Sequence, residues 1–164
     1  MRAISGWTVA VAVVGVLLPG CASTHQRTYE EKTQQLEARQ RANQELEATA
    51  HAQAQKYAAV VYFAVGSPLV DADGQRELRW FVQQMQPYPQ AMFDVQGFAD
   101  STGSEATNAG LSQQRAENVA NYLASQGIAP ERLVTKGFGT TSPAASNVTP
   151  QGRRNNRRVE VTVR

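Results

Sequence analysis

The chain has one cysteine, Cys21, among its 164 residues, so no disulfide can form within it. Its two histidines, His25 and His51, both lie in a polar N-terminal stretch. Neither can be placed beside a serine or carboxylate of the C-terminal part, as a hydrolytic triad requires. No grouping of Cys, His, Asp and Glu has the spacing of a metal site, and no cofactor motif is present. Aromatic residues are few (7%), and none interleaves with the C-terminal arginines as in a nucleic-acid binder, so no nucleic acid is expected as a partner. The one long apolar stretch, Ala3 to Leu18, is shorter than the roughly 20 residues a spanning helix needs.

What is present begins at the N-terminus. Met1 and Arg2 precede the apolar stretch, and Leu18-Pro19-Gly20-Cys21 closes it. Residues 1–20 read as a secretory signal peptide, the alternative being a retained membrane anchor. Leu18, Gly20 and Cys21 resemble the lipobox of bacterial lipoproteins, which implies lipidation of Cys21 and a firm hold on a membrane. Pro19 departs from the small or β-branched residue usual at its position. Ala22 rather than Asp after the cysteine implies release to the outer membrane.

Without Arg2 the formal charge falls from +2 to +1, too small to argue for a polyanionic partner. After Pro150, however, Arg153, Arg154, Arg157, Arg158 and Arg164 face Glu160 alone. They are expected to form a solvated basic edge that protects a terminal strand. Residues 21–57 read as the lipidated N-terminus and a solvated helical tether: from 22 onward there is no Pro or Gly and few large apolar residues. Tyr29, Leu36, Asn43, Ala50 and Tyr57 recur every seven residues, but the accompanying positions are Lys32, Arg39, Leu46 and Gln53. Weak self-association is the alternative to a lone helix. A helix of this length would span on the order of 50 Å.

From residue 58 to residue 164 a compact domain is expected. Val60 to Val65 is an apolar run suited to a strand covered on both faces, ended by Gly66-Ser67-Pro68. Leu78, Phe81, Val82 and Met85 mark an amphipathic helix stopped by Pro87 and Pro89. Phe93 and Val95 predict a second strand, Leu133 to Phe138 a third, and Val159, Val161 and Val163 a fourth. The order β-α-β-α-β-β predicts an α/β sandwich with a mixed sheet.

One residue breaks this pattern. Leu111, Arg115, Val119 and Tyr122 share a helical face, which puts a guanidinium in an apolar stripe near the start of the helix that Ser112 would cap. Neither burial nor the helix dipole favours it there, so an acid is expected opposite. Asp100, in the loop after the second strand, is the candidate; alone it would read as an Asx turn. Thr102-Gly103-Ser104-Glu105 has the form of a capping box, and Asn108-Ala109-Gly110 would break the helix. Asp100 can bind an ammonium, Arg115 a carboxylate, and the amides of Thr102 to Ser104 a second anion, which together suit the zwitterionic end of an amino acid. Arg157 shares strand parity with Val159 and Val161. It is either a second support of the site or a strand-end residue.

The runs VQGFADSTGSEATNAGLSQQRAENVANYLASQGI and TKGFGTTSPAASNVTPQGRRNNRRVEV resemble the OmpA C-terminal-like domain shared with peptidoglycan-associated lipoproteins, over residues 58–164. The resemblance implies a peptidoglycan-binding domain in which Asp100 and Arg115 hold the diaminopimelate of the stem peptide, with Thr102, Gly103, Asn108, Leu111 and Arg157 as weaker contacts or supports. Phe98 and Ala99 stand where the family often has His-Thr, and Val65-Gly66 where it often has an F-D-like pair, so polar groups beside the site are missing. The implied function is a non-enzymatic outer-membrane lipoprotein in the periplasm that tethers the membrane to the wall. The alternative is an envelope scaffold that binds a protein partner. A hydrolase using Asp100 and Glu105 is disfavoured because capping already explains Glu105.

Overall fold

The computed structural model describes residues 22–164, so the expected signal peptide, residues 1–20, and Cys21 lie outside the described residues. Among the latter no helix is long and apolar enough to cross a membrane. The chain divides into two units that meet between Glu45 and Leu46. The described part of the first is helical: α1 spans Ala22–Ala54, and every residue from 25 to 45 is exposed. Tyr29 and Leu36 are bare to solvent at 70% and 59%, so this part of α1 rests on helix propensity and local pairs such as Arg41 with Glu37.

The second unit takes in the last turns of α1, where Ala54 is buried in the core. It continues through β1 (Ala58–Tyr62), α2 (Ala72–Met85), β2 (Phe93–Gly97), α3 (Glu105–Ser125), a 3₁₀ turn (Pro130–Arg132), β3 (Leu133–Gly137), α4 (Pro150–Asn156) and β4 (Arg158–Val163). The sheet order is β1-β4-β2-β3. β4 runs antiparallel to both neighbours and β2 parallel to β3, so the sheet is mixed, as the element order predicts.

One face of the sheet carries Ala59, Val61, Val159, Val161, Phe93 and Val95, which share a core with Leu78, Phe81 and Met85 of α2 and Val119 and Leu123 of α3. Helix α3 comes closest at two glycines. A Cβ at Gly97 would stand 2.0 Å from the Ser112 carbonyl oxygen, and one at Gly137 2.5 Å from the Gln113 nitrogen. Only glycine lets the helix lie this near β2 and β3.

Three expectations are corrected. The first strand is Ala58–Tyr62 and alternates in burial, rather than running buried from Val60 to Val65. As an edge strand with helices on one side only, it turns Val60 and Tyr62 to solvent. The second helix is unbroken: Ser104 caps α3 by accepting from Thr107 N, so neither the Thr102–Glu105 box nor a Ser112 cap forms. Asn108 donates to the Thr102 carbonyl instead of turning the chain, and Arg115 lies well inside the helix. Finally, β4 is an interior strand, so its arginines protect no edge. Arg158 is buried, pairs with Glu160 at 2.6 Å and lies 4.0 Å from the Phe98 ring centroid.

The register places Tyr62, Gly97 and Gly137 at one end of the sheet with Arg158. The segments after β1, β2 and β3 and the residues before β4 therefore converge there. The chain enters β1 at the opposite end, about 17 Å away for a five-residue strand.

Candidate functional site

At this convergence the backbone leaving β2 is held residue by residue. Phe98 N donates to the Arg158 carbonyl and Ala99 N to the Gly139 carbonyl, both at 2.8 Å. Asp100 follows, 4% exposed. Its Oδ1 accepts from Thr102 N at 2.9 Å, the Asx turn, and its Oδ2 accepts from Arg157 Nη1 at 2.7 Å. Arg157 also donates from Nε to the Phe63 carbonyl at 3.0 Å, which ties β1 to the junction of α4 and β4. Burial pushes the Asp100 carboxyl up, but the hydrogen bonds from Arg157 and Thr102 outweigh it and hold it below the usual carboxylate range.

Arg115 is fully buried, and no acid bonds to it directly, contrary to the expectation. Its guanidinium donates to three carbonyls, of Ser67 at 2.9 Å, Ala64 at 3.0 Å and Phe98 at 3.3 Å, and lies 5.1 Å from the Phe63 ring centroid. Carbonyl dipoles and a ring face solvate the cation in place of a carboxylate. Burial, and then the charge of Arg157, lower its pKa to about 10, while Asp100 opposes the drop. Arg115 is thus charged at neutral pH, and Asp100 acts on it through space.

Of the other residues marked in the sequence, Asn108 is buried and closes the Thr102 turn against α3 at 3.1 Å. Thr102 and Gly103 are exposed, and Gly103 takes a positive φ of 92°. Leu111 is half-buried one turn before Arg115. Asp100, Thr102, Asn108 and Arg157 are joined by hydrogen bonds, and Arg115 lies behind them through Phe98.

Three participants were not among the site residues marked in the sequence. Asn156 is fully buried, and Asn147 accepts from Ser101 N at 3.1 Å. Arg153, expected to be solvated, donates to the carbonyls of Asn147 and Val148 at 2.8 and 3.0 Å. For Asn156 the only pointer was its place in the N-R-R-V-E run.

One carboxylate with two guanidiniums leaves the cluster with one unit of positive charge, close in sequence to the Glu105 and Ala106 amides at the start of α3, which no helix bond uses, the Thr107 amide being taken by the Ser104 cap. Such a site favours an anionic group and can still offer Asp100 to a cation. Among the described residues no group of His, Cys, Asp and Glu could hold a metal ion.

Known proteins resemble this chain in sequence and in fold. The chain is 43% identical over 98 residues to the peptidoglycan-binding protein ArfA of Mycobacterium tuberculosis, which covers 60% of this chain and 30% of ArfA. It is 40% identical over 103 residues to the probable lipoprotein YiaD of Escherichia coli, covering 63% of this chain and 47% of YiaD. The match thus spans less than half the length of these two relatives. Among solved structures, the peptidoglycan-associated lipoprotein of Burkholderia pseudomallei superposes with a TM-score of 0.62 at 27% identity, over 65% of this chain and 90% of that one. A model of the OmpA family matches residues 62–157, and the chain belongs to that family.

Proposed function

We propose that this protein binds peptidoglycan non-covalently through the diaminopimelate of the stem peptide, and that it tethers the outer membrane to the wall by a lipid on Cys21. The observation that carries the reading is the buried Asp100–Arg157 pair with the Arg115 cation behind it. Diaminopimelate has a free ammonium and a free carboxylate on the same carbon. The first suits Asp100, and the second suits the surplus positive charge and the exposed backbone of Gly103 and Ser104, which the Thr102 turn presents. Arg115 is fully buried, so it serves as a fixed charge and as the fastener of the Ala64–Ser67 loop. Asn108 and Leu111 support the turn and the helix. The names of the relatives, peptidoglycan-binding and peptidoglycan-associated, favour the same ligand.

Binding of this kind needs no bond cleavage, and the reading is of an anchor, not an enzyme. Modest affinity suffices for a protein held near a polymer of repeated sites. The second reading is an envelope scaffold, favoured by one observation: Tyr29, Leu36 and Leu46 stand exposed along α1, where a partner helix could cover them.

The ligand is tested by titrating the protein with stem peptides that differ at one residue. A peptide carrying diaminopimelate is expected to bind, and one carrying lysine, which lacks the second carboxylate, to bind at least about tenfold more weakly. Equal affinities would contradict the reading. The anchor is tested by Cys21→Ser, which should leave the detergent phase; a variant that partitions like the parent would exclude the lipid.

A further inference from the structure

Asp100 is bracketed by one loop. The residue before it, Ala99, donates its amide to Gly139 O at 2.8 Å, and the residue after it, Ser101, donates to Asn147 Oδ1 at 3.1 Å. Gly139 and Asn147 belong to the irregular segment between β3 and α4, so what fixes that segment also fixes Asp100.

Asn156 does the fixing. Fully buried at the end of α4, it accepts from Ala145 N at 2.9 Å and donates to Ala145 O at 2.8 Å. Its Nδ2 also donates to Asn147 Oδ1 at 2.8 Å. The next residue is Arg157, which holds the Asp100 carboxylate. Two adjacent residues thus grip Asp100 from two sides, Arg157 at the side chain and Asn156, by way of Asn147, at the backbone.

We propose that Asn147 is a positioning residue whose side-chain oxygen, shared between Ser101 N and Asn156 Nδ2, holds the Asp100 carboxylate in register with Arg157 and so sets ligand affinity. The consequence for affinity rests on the peptidoglycan reading; the placement of Asp100 does not. An amide oxygen has two lone pairs and can take both donors at once. Ser101 is exposed, so its freed N–H can turn to water, whereas the Asn156 Nδ2 that loses the same acceptor belongs to a fully buried residue, and that loss lowers stability. The titration midpoint of Asp100, read in the folded protein, separates a positioning role from a structural one.

The test uses the full chain in detergent micelles, with Asn147→Ala as the variant and Val148→Ala as its neighbour control, since Val148 is 86% exposed. The first readout is the titration midpoint of the Asp100 carboxyl by NMR, which needs no ligand. Asn147→Ala should move the midpoint upward as Arg157 loosens its hold, in protein that stays folded at the measuring temperature although it melts below the parent. The second is binding to purified sacculi, expected to weaken about tenfold, the scale of one lost hydrogen bond. Val148→Ala should change neither. An unmoved midpoint in Asn147→Ala overturns the proposal. So does a raised midpoint with unchanged binding, if Asp100→Ala abolishes binding. A raised midpoint in a protein whose Asp100→Ala variant still binds sacculi supports the placement and overturns the peptidoglycan reading instead. Should Asn147→Ala fail to fold, Asn147→Ser, whose hydroxyl is too short to span both donors, takes its place with the same outcomes.

Discussion

Two arginines of this protein are held by the same device at opposite ends of the sheet. Arg115 lies 5.1 Å from the Phe63 ring centroid and donates to the carbonyls of Ser67, Ala64 and Phe98. Arg132 lies 5.0 Å from that of Phe93 and donates to the carbonyls of Ala91 and Tyr88. Burial lowers the pKa of both. Each pins an irregular loop by satisfying its carbonyls, so a guanidinium among apolar residues is not in itself a sign of ligand binding. What separates them is the surroundings. Arg132 has only Glu131 as a charged influence, whereas Arg115 feels both members of the Asp100–Arg157 pair.

The largest effect expected from this comparison is on stability. Arg115→Ala leaves three carbonyls of a buried site without donors and should cost about 3 kcal/mol or more, measured by urea unfolding. Arg132→Ala, at a half-buried position with two carbonyls, should cost about 1 kcal/mol. Equal losses would mean that depth of burial does not distinguish the two clasps.

The comparison sharpens with pH. The Asp100 carboxyl is held below its unfolded value of 3.8, so its contribution is fully present above that value. It is lost as pH falls through the lower, folded pKa. Acid unfolding of Arg132→Ala should retain this pH-dependent component, and that of Asp100→Asn should lack it. An identical acid slope in the two variants would show that the Asp100–Arg157 pair carries no linkage.

The smallest effect concerns the helix that carries Arg115. Gly110 sits inside α3 with open space where a Cβ would stand, so Gly110→Ala should stabilise by about 0.5 to 1 kcal/mol. Destabilisation would point to a break at Asn108–Gly110 and a different seat for Arg115.

The sequence shows why some of this could be read in advance. Leu78, Phe81 and Met85, and the alternation in β2 and β4, repeat at the periods of a helix and a strand, so these elements were legible. Helix α4 was not: Pro150 to Asn156 contains no apolar residue, and its only signals are the Thr149 cap and Pro150. The valines of β1 mislead because a run of like residues conceals which of them faces out. At the site, Asp100 and Arg115 stood out as misfits, but which charge meets which could not be read. Asp100 and Arg157 are 57 residues apart, and the pairing arises only because β4 lies between β1 and β2. Asn147 sits in a segment with no periodicity, so only the folded loop reveals its partners.

The most direct measurement is co-sedimentation with purified sacculi, with Asp100→Asn and Arg132→Ala compared side by side below their melting temperatures. Asp100→Asn keeps the shape of the side chain and removes its charge, and binding should fall by roughly 2 to 5 kcal/mol, enough to leave the protein in the supernatant. Arg132→Ala breaks the same kind of clasp at the far end of the sheet and should pellet like the parent. Asp100→Asn protein that folds normally and pellets as well as Arg132→Ala would contradict the account.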